Sequence, residues 1–244
     1  MESSSHHARL TPWARLVIVC AILVVGCLVL LTVLGVASRG ERLVSYPVRG
    51  SLNRLQLDLG DADVVIARGG RRPAVEVERR ESYAFGHGVT SRRQIDGGVF
   101  TVRSRCPRTV LHACSVRYRV VVPDNIPIDV RTTSGSIRLD GYRGSARLTS
   151  GSGSVMVNDF CGFSLQARAG SGAIGANVDC ALQQLSARST SGGVHVVVPP
   201  GRYRLDAETA AGQRTVRGVT ESTDAPFSLQ ALSSSGDVTV EGRS

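Results

Sequence analysis

The sequence predicts an all-β domain of the stacked-strand, β-helix-like solenoid class, preceded by one N-terminal transmembrane helix. Three observations predict it: a Ser-Gly turn that recurs at a near-constant interval, apolar alternation on both sides of each turn, and one long uncharged apolar stretch near the start of the chain.

The apolar stretch runs from Leu16 to Val36, 21 residues without a charge and with Thr32 as its clearly polar member. At ~1.5 Å per residue it spans about 30 Å, enough to cross a bilayer. Trp13 stands at its start as an interfacial aromatic. Arg9 and Arg15 on one side and Arg39 and Arg42 on the other leave the positive-inside count undecided. Gly35-Val36-Ala37 fits a signal-peptidase site, but the apolar run exceeds the usual h-region, so a retained signal anchor is expected. Val24-Val25-Gly26-Cys27 loosely resembles a lipidation box, yet the chain stays apolar after Cys27 where a lipoprotein turns polar. The expected organisation is a cytoplasmic tail over 1–15, a signal anchor over 16–36, a linker over 37–48, and a β domain over 49–244. That domain divides into a basic part (49–122) and a part with regular repeats (123–244).

The turns are Ser134-Gly135, Ser152-Gly153, Ser171-Gly172, Ser191-Gly192, the weaker Ala211-Gly212, and Ser235-Gly236, at spacings of 18, 19, 20, 20 and 24 residues. A period near 20 marks a repeat architecture. Two residues after each glycine stand Ile137, Val155, Ile174, Val194, Arg214 and Val238; four after it stand Leu139, Val157, Ala176, Val196, Val216 and Val240. Seven before it stand Ile128, Ala146, Leu165, Leu185, Leu205 and Leu229; five before it stand Val130, Leu148, Ala167, Ala187, Ala207 and Ala231. Each repeat therefore carries two short strands with one buried face each, and stacking the repeats as rungs buries one continuous core. Arg214 marks an irregular or solvent-facing rung. Leu59-Gly60-Asp61 followed by Val64-Val65-Ile66 reads as a degenerate first repeat, and Thr220 to Pro226 as a loop inserted in the last interval.

Of six cysteines, Cys20 and Cys27 lie in the apolar segment. Cys161 and Cys180 both fall eight residues after their glycine and so sit above one another on neighbouring rungs, within disulfide reach. Cys106 and Cys114 then close the loop of a hairpin with strands Val99 to Arg105 and Ser115 to Val122. Two bridges point to an oxidising compartment, and hence to an N-terminus inside and a β domain outside the membrane.

The net charge of +9 is unevenly placed: residues 38–122 hold 16 Arg against 8 acids, whereas residues 123–244 hold 11 of each. Pairs such as Arg71-Arg72, Arg79-Arg80 and Arg92-Arg93 in the membrane-proximal half would attract anionic head groups or wall polymers. The chain has no lysine, so the basic excess also reflects a compositional bias toward arginine, and no aromatic interleaving supports nucleic-acid binding.

No catalytic, cofactor or metal site is expected. His6, His7, His87, His112 and His195 make no helical metal pair and accompany no Cys-x-x-Cys motif. Asp58, Asp61 and Asp63 cluster as in a calcium loop but lack its terminal glutamate. The recurring serines satisfy turns. Arg168, Arg188 and Glu208, four residues before their glycines, face outward, with Arg188 and Glu208 expected to stack as a cross-strand pair; Asp140, Asn158 and Asn177 are expected to cap the turns that leave each strand.

The runs Thr132-Thr133-Ser134-Gly135-Ser136-Ile137-Arg138-Leu139, Thr149 to Val157, Arg188 to Val196 and Ser233 to Val240, preceded by Tyr118-Arg119-Val120-Val121-Val122-Pro123, resemble the putative adhesin family of bacterial envelope proteins. The resemblance covers roughly Leu55 to Val240, and the lysine-free composition is similar to that of a GC-rich actinobacterial protein. It implies a repeat-built domain behind one transmembrane segment, without catalytic residues to carry over. The expected role is an envelope binding or structural module, with a glycan or protein partner and no turnover. Its rivals are a carbohydrate-active β-helix enzyme, which needs converging carboxylates, and an envelope-stress or regulatory accessory acting through the tail or helix. The last strand, Asp237 to Val240, is expected to be an exposed edge open to a partner.

Overall fold

The computed structural model describes residues 12–37, 40–70, 74–83, 88–107 and 114–243. His6, His7, His87, His112, Arg9, Arg39 and the pair Arg71-Arg72 lie outside the described residues.

Helix α1 (Pro12–Ala37) begins on a proline, whose fixed φ suits the first helical turn. It is the one helix among the described residues long and apolar enough to cross a membrane, and its Leu16–Val33 segment buries nothing against the protein.

Twenty strands follow among the described residues: β1 (Gly40–Val48), β2 (Arg54–Asp58), β3 (Asp63–Gly70), β4 (Val75–Tyr83), β5 (Thr90–Asp96), β6 (Val99–Arg105), β7 (Cys114–Pro123), β8 (Ile128–Thr132), β9 (Ile137–Asp140) and β10 (Ser145–Ser150). The series continues with β11 (Val155–Phe160), β12 (Ser164–Ala169), β13 (Ile174–Val178), β14 (Gln184–Ser189), β15 (Val194–Val198), β16 (Arg202–Thr209), β17 (Arg214–Arg217), β18 (Thr220–Glu221), β19 (Phe227–Ser233) and β20 (Val238–Gly242). They form two ten-stranded sheets. One, sheet A, holds the strand after each turn, in the order β1-β4-β7-β3-β9-β11-β13-β15-β20-β17; the other, sheet B, holds the strand before each turn, in the order β18-β16-β19-β14-β12-β10-β8-β2-β6-β5. Within the rungs the pairing is parallel and keeps the repeat register, as in Ala146↔Leu165 and Val155↔Ile174. Apolar columns from both sheets meet in one core; Leu148, Leu165, Ala187 and Val196 are fully buried.

The turn glycines owe their identity to a close approach. A Cβ at Gly153 would lie 2.1 Å from the carbonyl oxygen of Gly135, and one at Gly172 2.1 Å from that of Gly153. Three residues earlier stands a column of buried hydroxyls. Ser150 Oγ donates to the Gly135 carbonyl at 3.0 Å and accepts from Gly153 N at 2.9 Å; Ser189 and Ser233 repeat both bonds at Gly172/Gly192 and Gly192/Gly236. Each hydroxyl thus closes its own turn and ties it to the next rung. Ala169 interrupts this column.

The stack does not follow chain order at either end. The last repeat, β19/β20, lies between β14/β15 and β16/β17, and the first, β2/β3, lies inside β6/β7. Composition explains the first transposition. Leu229, Ala231, Val238 and Val240 are apolar throughout and fully buried between two neighbours, whereas β17 carries the exposed Arg214, whose Nε donates to the Ala207 carbonyl at 2.7 Å over the open end of the core. A polar terminal rung suits a solenoid end. The inserted segment supplies the crossing: β18 pairs parallel with one edge of β16, a turn through Ser222 and Ala225 carries the chain across the start of that strand, and β19 pairs parallel with its other edge.

Four expectations change accordingly. The final strand is interior, paired with β15 and β17, so β17 is the edge of sheet A at this end of the stack. Arg188 and Glu208 are not neighbours, because Leu232 stands between them in register with both. The stretch 37–48 is not merely a linker: β1 pairs antiparallel with β4 along its whole length. The strands beside Cys106 and Cys114 do not form a hairpin, since β6 lies in sheet B and β7 in sheet A; Phe100 and Val102 meet Tyr118 and Val120 in the core from opposite sides. The hairpin is β5/β6, turning at Gly97 and Gly98, both with positive φ.

The disulfides Cys106–Cys114 and Cys161–Cys180 span Cα separations of 5.9 and 4.9 Å, the second joining adjacent rungs. Beside the first, the interior turns polar, with Arg79 and Glu81 in a buried ion pair at 2.5 Å, and at the surface the exposed Arg93 sets its guanidinium 4.2 Å from the Tyr46 ring centre.

Candidate binding face

Alternation leaves two outward columns on sheet B. Six residues before each glycine these are Asp129, Arg147, Gln166, Ser186, Gln230 and Asp206 in stack order; four before it, Arg131, Thr149, Arg168, Arg188, Leu232 and Glu208. Parallel in-register pairing sets like positions about 4.8 Å apart, so each column is a row of side chains along the stack, polar except at Leu232. Neighbours are linked: Arg147 Nε donates to Gln166 Oε1 at 3.1 Å, Ser186 Oγ and Arg188 Nε donate to Gln230 Oε1 at 3.1 and 2.9 Å, and Gln230 Nε2 donates to Asp206 Oδ2 at 2.6 Å. These bonds hold long side chains in fixed positions, which lowers the entropy lost on binding.

Two depressions open on this face. The larger, about 510 Å³, lies where the transposed rung places Leu232 as an apolar floor between Arg188 and Glu208, with Arg168 beside them and Thr190 and Ser234 at the rim. The smaller, about 140 Å³, is lined by Arg54, Asp129, Arg147, Ser164 and Gln166. Asp129 accepts from Arg131 Nη2 at 3.3 Å through Oδ2, while its Oδ1 is buried and without a hydrogen-bond partner among the described residues. An apolar floor flanked by a cation, an anion and hydroxyls recognises neutral polar ligands, which offer hydroxyls to the rim and C–H faces to the floor.

The turn residues Gly135, Gly153, Gly172, Gly192, Gly212 and Gly236 all lie at one corner of the stack, away from these columns, with a structural role. The aspartates of the calcium-like segment are engaged in rung contacts: Asp61 accepts from Ser134 Oγ at 2.7 Å and Asp63 from Ser136 N at 2.9 Å. Among the described residues no three His, Cys, Asp or Glu side chains converge as a metal site. His195 Nε2 lies 3.5 Å from Glu241 on the outer face of sheet A. Asn158 does not cap its own turn; its Nδ2 donates to Asp140 Oδ1 of the next rung at 2.7 Å, because register places the two side by side. Tyr142 lies in the core at the other corner, where burial first and the Asp124 carboxylate second push its hydroxyl far up, and it donates to the Ile126 carbonyl. Sequence reasoning missed the larger groove, although Leu232, an apolar residue in an outward column, was its visible signal.

No curated protein matches the sequence. Solved structures that align with the chain include a putative cell adhesion protein from Clostridium sporogenes, with 9% identity over 84% of this chain and 100% of that one and a TM-score of 0.46. A putative adhesin from Bacteroides fragilis aligns with 10% identity over 83% and 97% of the two chains and a TM-score of 0.35. A putative lipid binding protein from Parabacteroides distasonis aligns with 10% identity over the same shares and a TM-score of 0.35. The Toastrack DUF4097 family model matches the regular rungs from Ile126 to Glu241. With its Ser-Gly turns, paired strands and stacked parallel rungs, the repeat region of this chain, residues 126–241, matches the Toastrack DUF4097 family.

Proposed function

We propose that the protein is an adhesin-like binding module of the cell envelope that works without catalysis and holds an extended, hydroxyl-rich glycan along the outer face of sheet B. The observation that carries this reading is the groove over Leu232, continued along the stack by rows of pre-positioned Gln, Arg, Asp, Ser and Thr side chains. A linear glycan offers hydroxyls and ring faces at repeated intervals, as the rungs offer partners. In this reading residues 1–15 are a cytoplasmic tail, residues 16–36 anchor the chain, and the β domain from Gly40 onward stands outside the membrane, in keeping with its two disulfides.

The test is cosedimentation of the full-length protein in detergent with insoluble envelope glycan. Leu232→Arg fills the groove, and Gln166→Ala removes one outward partner. The first is expected to weaken binding more than tenfold and the second about threefold to tenfold, the range for one hydrogen bond. Sedimentation unchanged by both substitutions, in protein that keeps its disulfides, refutes the assignment to this face.

A further inference from the structure

The corner of the stack where the chain enters from α1 is a collar of arginines. Gly40 opens β1 in register with Tyr83, which is in register with Cys114. Three positions along, Leu43 pairs with Arg80 and Arg80 with Arg117, two arginines directly opposite on antiparallel strands. On sheet B, Arg92 stands opposite Arg103 in the same way, two positions before Arg105 and three before Cys106, whose bridge leads back to Cys114. Like charges in direct cross-strand register are destabilising on their own. Arg80, Arg92, Arg103 and Arg117 form no ion pair among the described residues. Four acids stand near the pairs: Glu78 lines the same depression as Arg80 and Arg117, Glu41 lies one same-face row away on β1, Asp63 beside Arg117 accepts from Ser136 N, and Asp58 is in register with Arg103; among the described residues none is within ion-pair distance of these four arginines. Two exposed arginine pairs at this end of the stack offer their charge to an anion from outside the domain.

Distance identifies it. Only two residues separate Ala37, the end of α1, from Gly40, a reach of about 10 Å. The Arg80–Arg117 row begins about 10 Å along β1, as three residues of strand, so it lies at most about 20 Å along the chain from the end of α1, and at low ionic strength, where the Debye length reaches about 30 Å, its charge is felt at the surface that α1 leaves. We propose that this collar docks the β domain onto the anionic lipid headgroups of the membrane entered by α1, fixing the domain's orientation. The inference rests on α1 being a membrane anchor.

The experiment reconstitutes the full-length protein, with Cys20→Ser, Cys27→Ala and Ser45→Cys, into vesicles of phosphatidylcholine alone or of an equimolar phosphatidylcholine–phosphatidylglycerol mixture. Ser45 is exposed on β1, and its replacement carries a donor dye while headgroups carry the acceptor. Energy transfer is expected to be high in the mixed vesicles, low in phosphatidylcholine, and abolished by high salt. Removing one arginine near the surface weakens apposition about fivefold, so Arg80→Gln with Arg117→Gln costs about 25-fold. Arg202→Gln with Arg217→Gln, at the far end of the stack, leaves transfer unchanged. Equal transfer in both lipids, or transfer indifferent to Arg80 and Arg117, overturns the proposal. Alkaline extraction of the same vesicles separates the two claims: protein released by carbonate refutes the anchor and the docking with it, whereas protein retained without lipid-dependent transfer refutes the docking alone.

Discussion

Replacing Gly192 by alanine puts a methyl group 2.2 Å from the carbonyl oxygen of Gly172 and 2.4 Å from its carbonyl carbon, both backbone atoms of the neighbouring rung. Neither can rotate away, and reaching even the 3.0–3.4 Å range of the tightest Cβ contacts requires a retreat of about 1 Å in a tightly packed stack. That retreat breaks bonds crossing between the rungs at this corner: Ser189 Oγ to Gly172 O at 2.9 Å, Ser191 N to Gly170 O at 2.9 Å, and Ile174 N to Gly193 O at 2.9 Å. Three bonds at about 1 kcal/mol each, with some overpacking strain, make the expected loss about 3–5 kcal/mol. The next residue is the control. A Cβ at Gly193 meets nothing nearer than the Asp237 carbonyl oxygen at 3.4 Å, so Gly193→Ala is expected to be neutral or to stabilise by about 0.4–1 kcal/mol through the unfolded chain. Urea unfolding of both variants in detergent, followed by far-UV circular dichroism, reads the difference. Equal midpoints for Gly192→Ala and Gly193→Ala would refute the close-approach argument.

Ala169→Ser restores the missing member of the hydroxyl column, within reach of the Gly153 carbonyl and Gly172 N by analogy with Ser150 and Ser189, and is expected to raise the urea midpoint by about 0.5–1.5 kcal/mol of stability; a drop would show that the site has no room for the hydroxyl. Tyr142, Tyr46 and Tyr203 all have their hydroxyls pushed up, by burial first in each case. A raised folded-state pKa means that their contribution is complete below the unfolded value of 10.0 and is lost as pH rises above it, by at most about 1.4 kcal/mol per pH unit for each tyrosine. Unfolding midpoints should therefore steepen downward above about pH 10, less so in Tyr142→Phe; a slope identical in that variant contradicts the assignment. Replacing Cys161 and Cys180 together by serine opens a loop with a sequence separation of 19 and is expected to cost about 3 kcal/mol, read from the same denaturation curves.

The rungs were legible because each core column repeats one residue class. Leu165, Leu185 and Leu229 are interchangeable in sequence and stack in one column in the structure. That interchangeability is also why the rung order was hidden: an alignment of equivalent repeats says which residues share a column but not which rungs are neighbours. Arg214 held the clue, since a rung with a charge in a core column belongs at an end, and the long last interval supplied the length needed to cross back. The groove over Leu232 followed the rung order out of sight. The hydroxyl column was readable at Thr132, Ser150, Ser189, Thr209 and Ser233, three residues before their glycines, but turn chemistry alone had absorbed the serines. The strand β1 was missed because its alternation is weak and Pro47 interrupts it, and because its partner β4 turns Arg79 and Glu81 inward, which hides the apolar pattern of that strand as well.

The proposed binding face exists only if the last repeat lies between the two before it. The direct measurement is disulfide trapping with two double variants of the full-length protein, Arg188→Cys with Leu232→Cys and Arg188→Cys with Glu208→Cys, each on a Cys20→Ser, Cys27→Ala background. Adjacent parallel strands hold in-register Cα atoms about 4.8 Å apart, within disulfide reach, whereas strands two apart are separated by about 9.6 Å, beyond it. The transposed stack predicts a bridge between positions 188 and 232 and none between 188 and 208. A bridge between 188 and 208 would restore chain-order stacking and remove the groove.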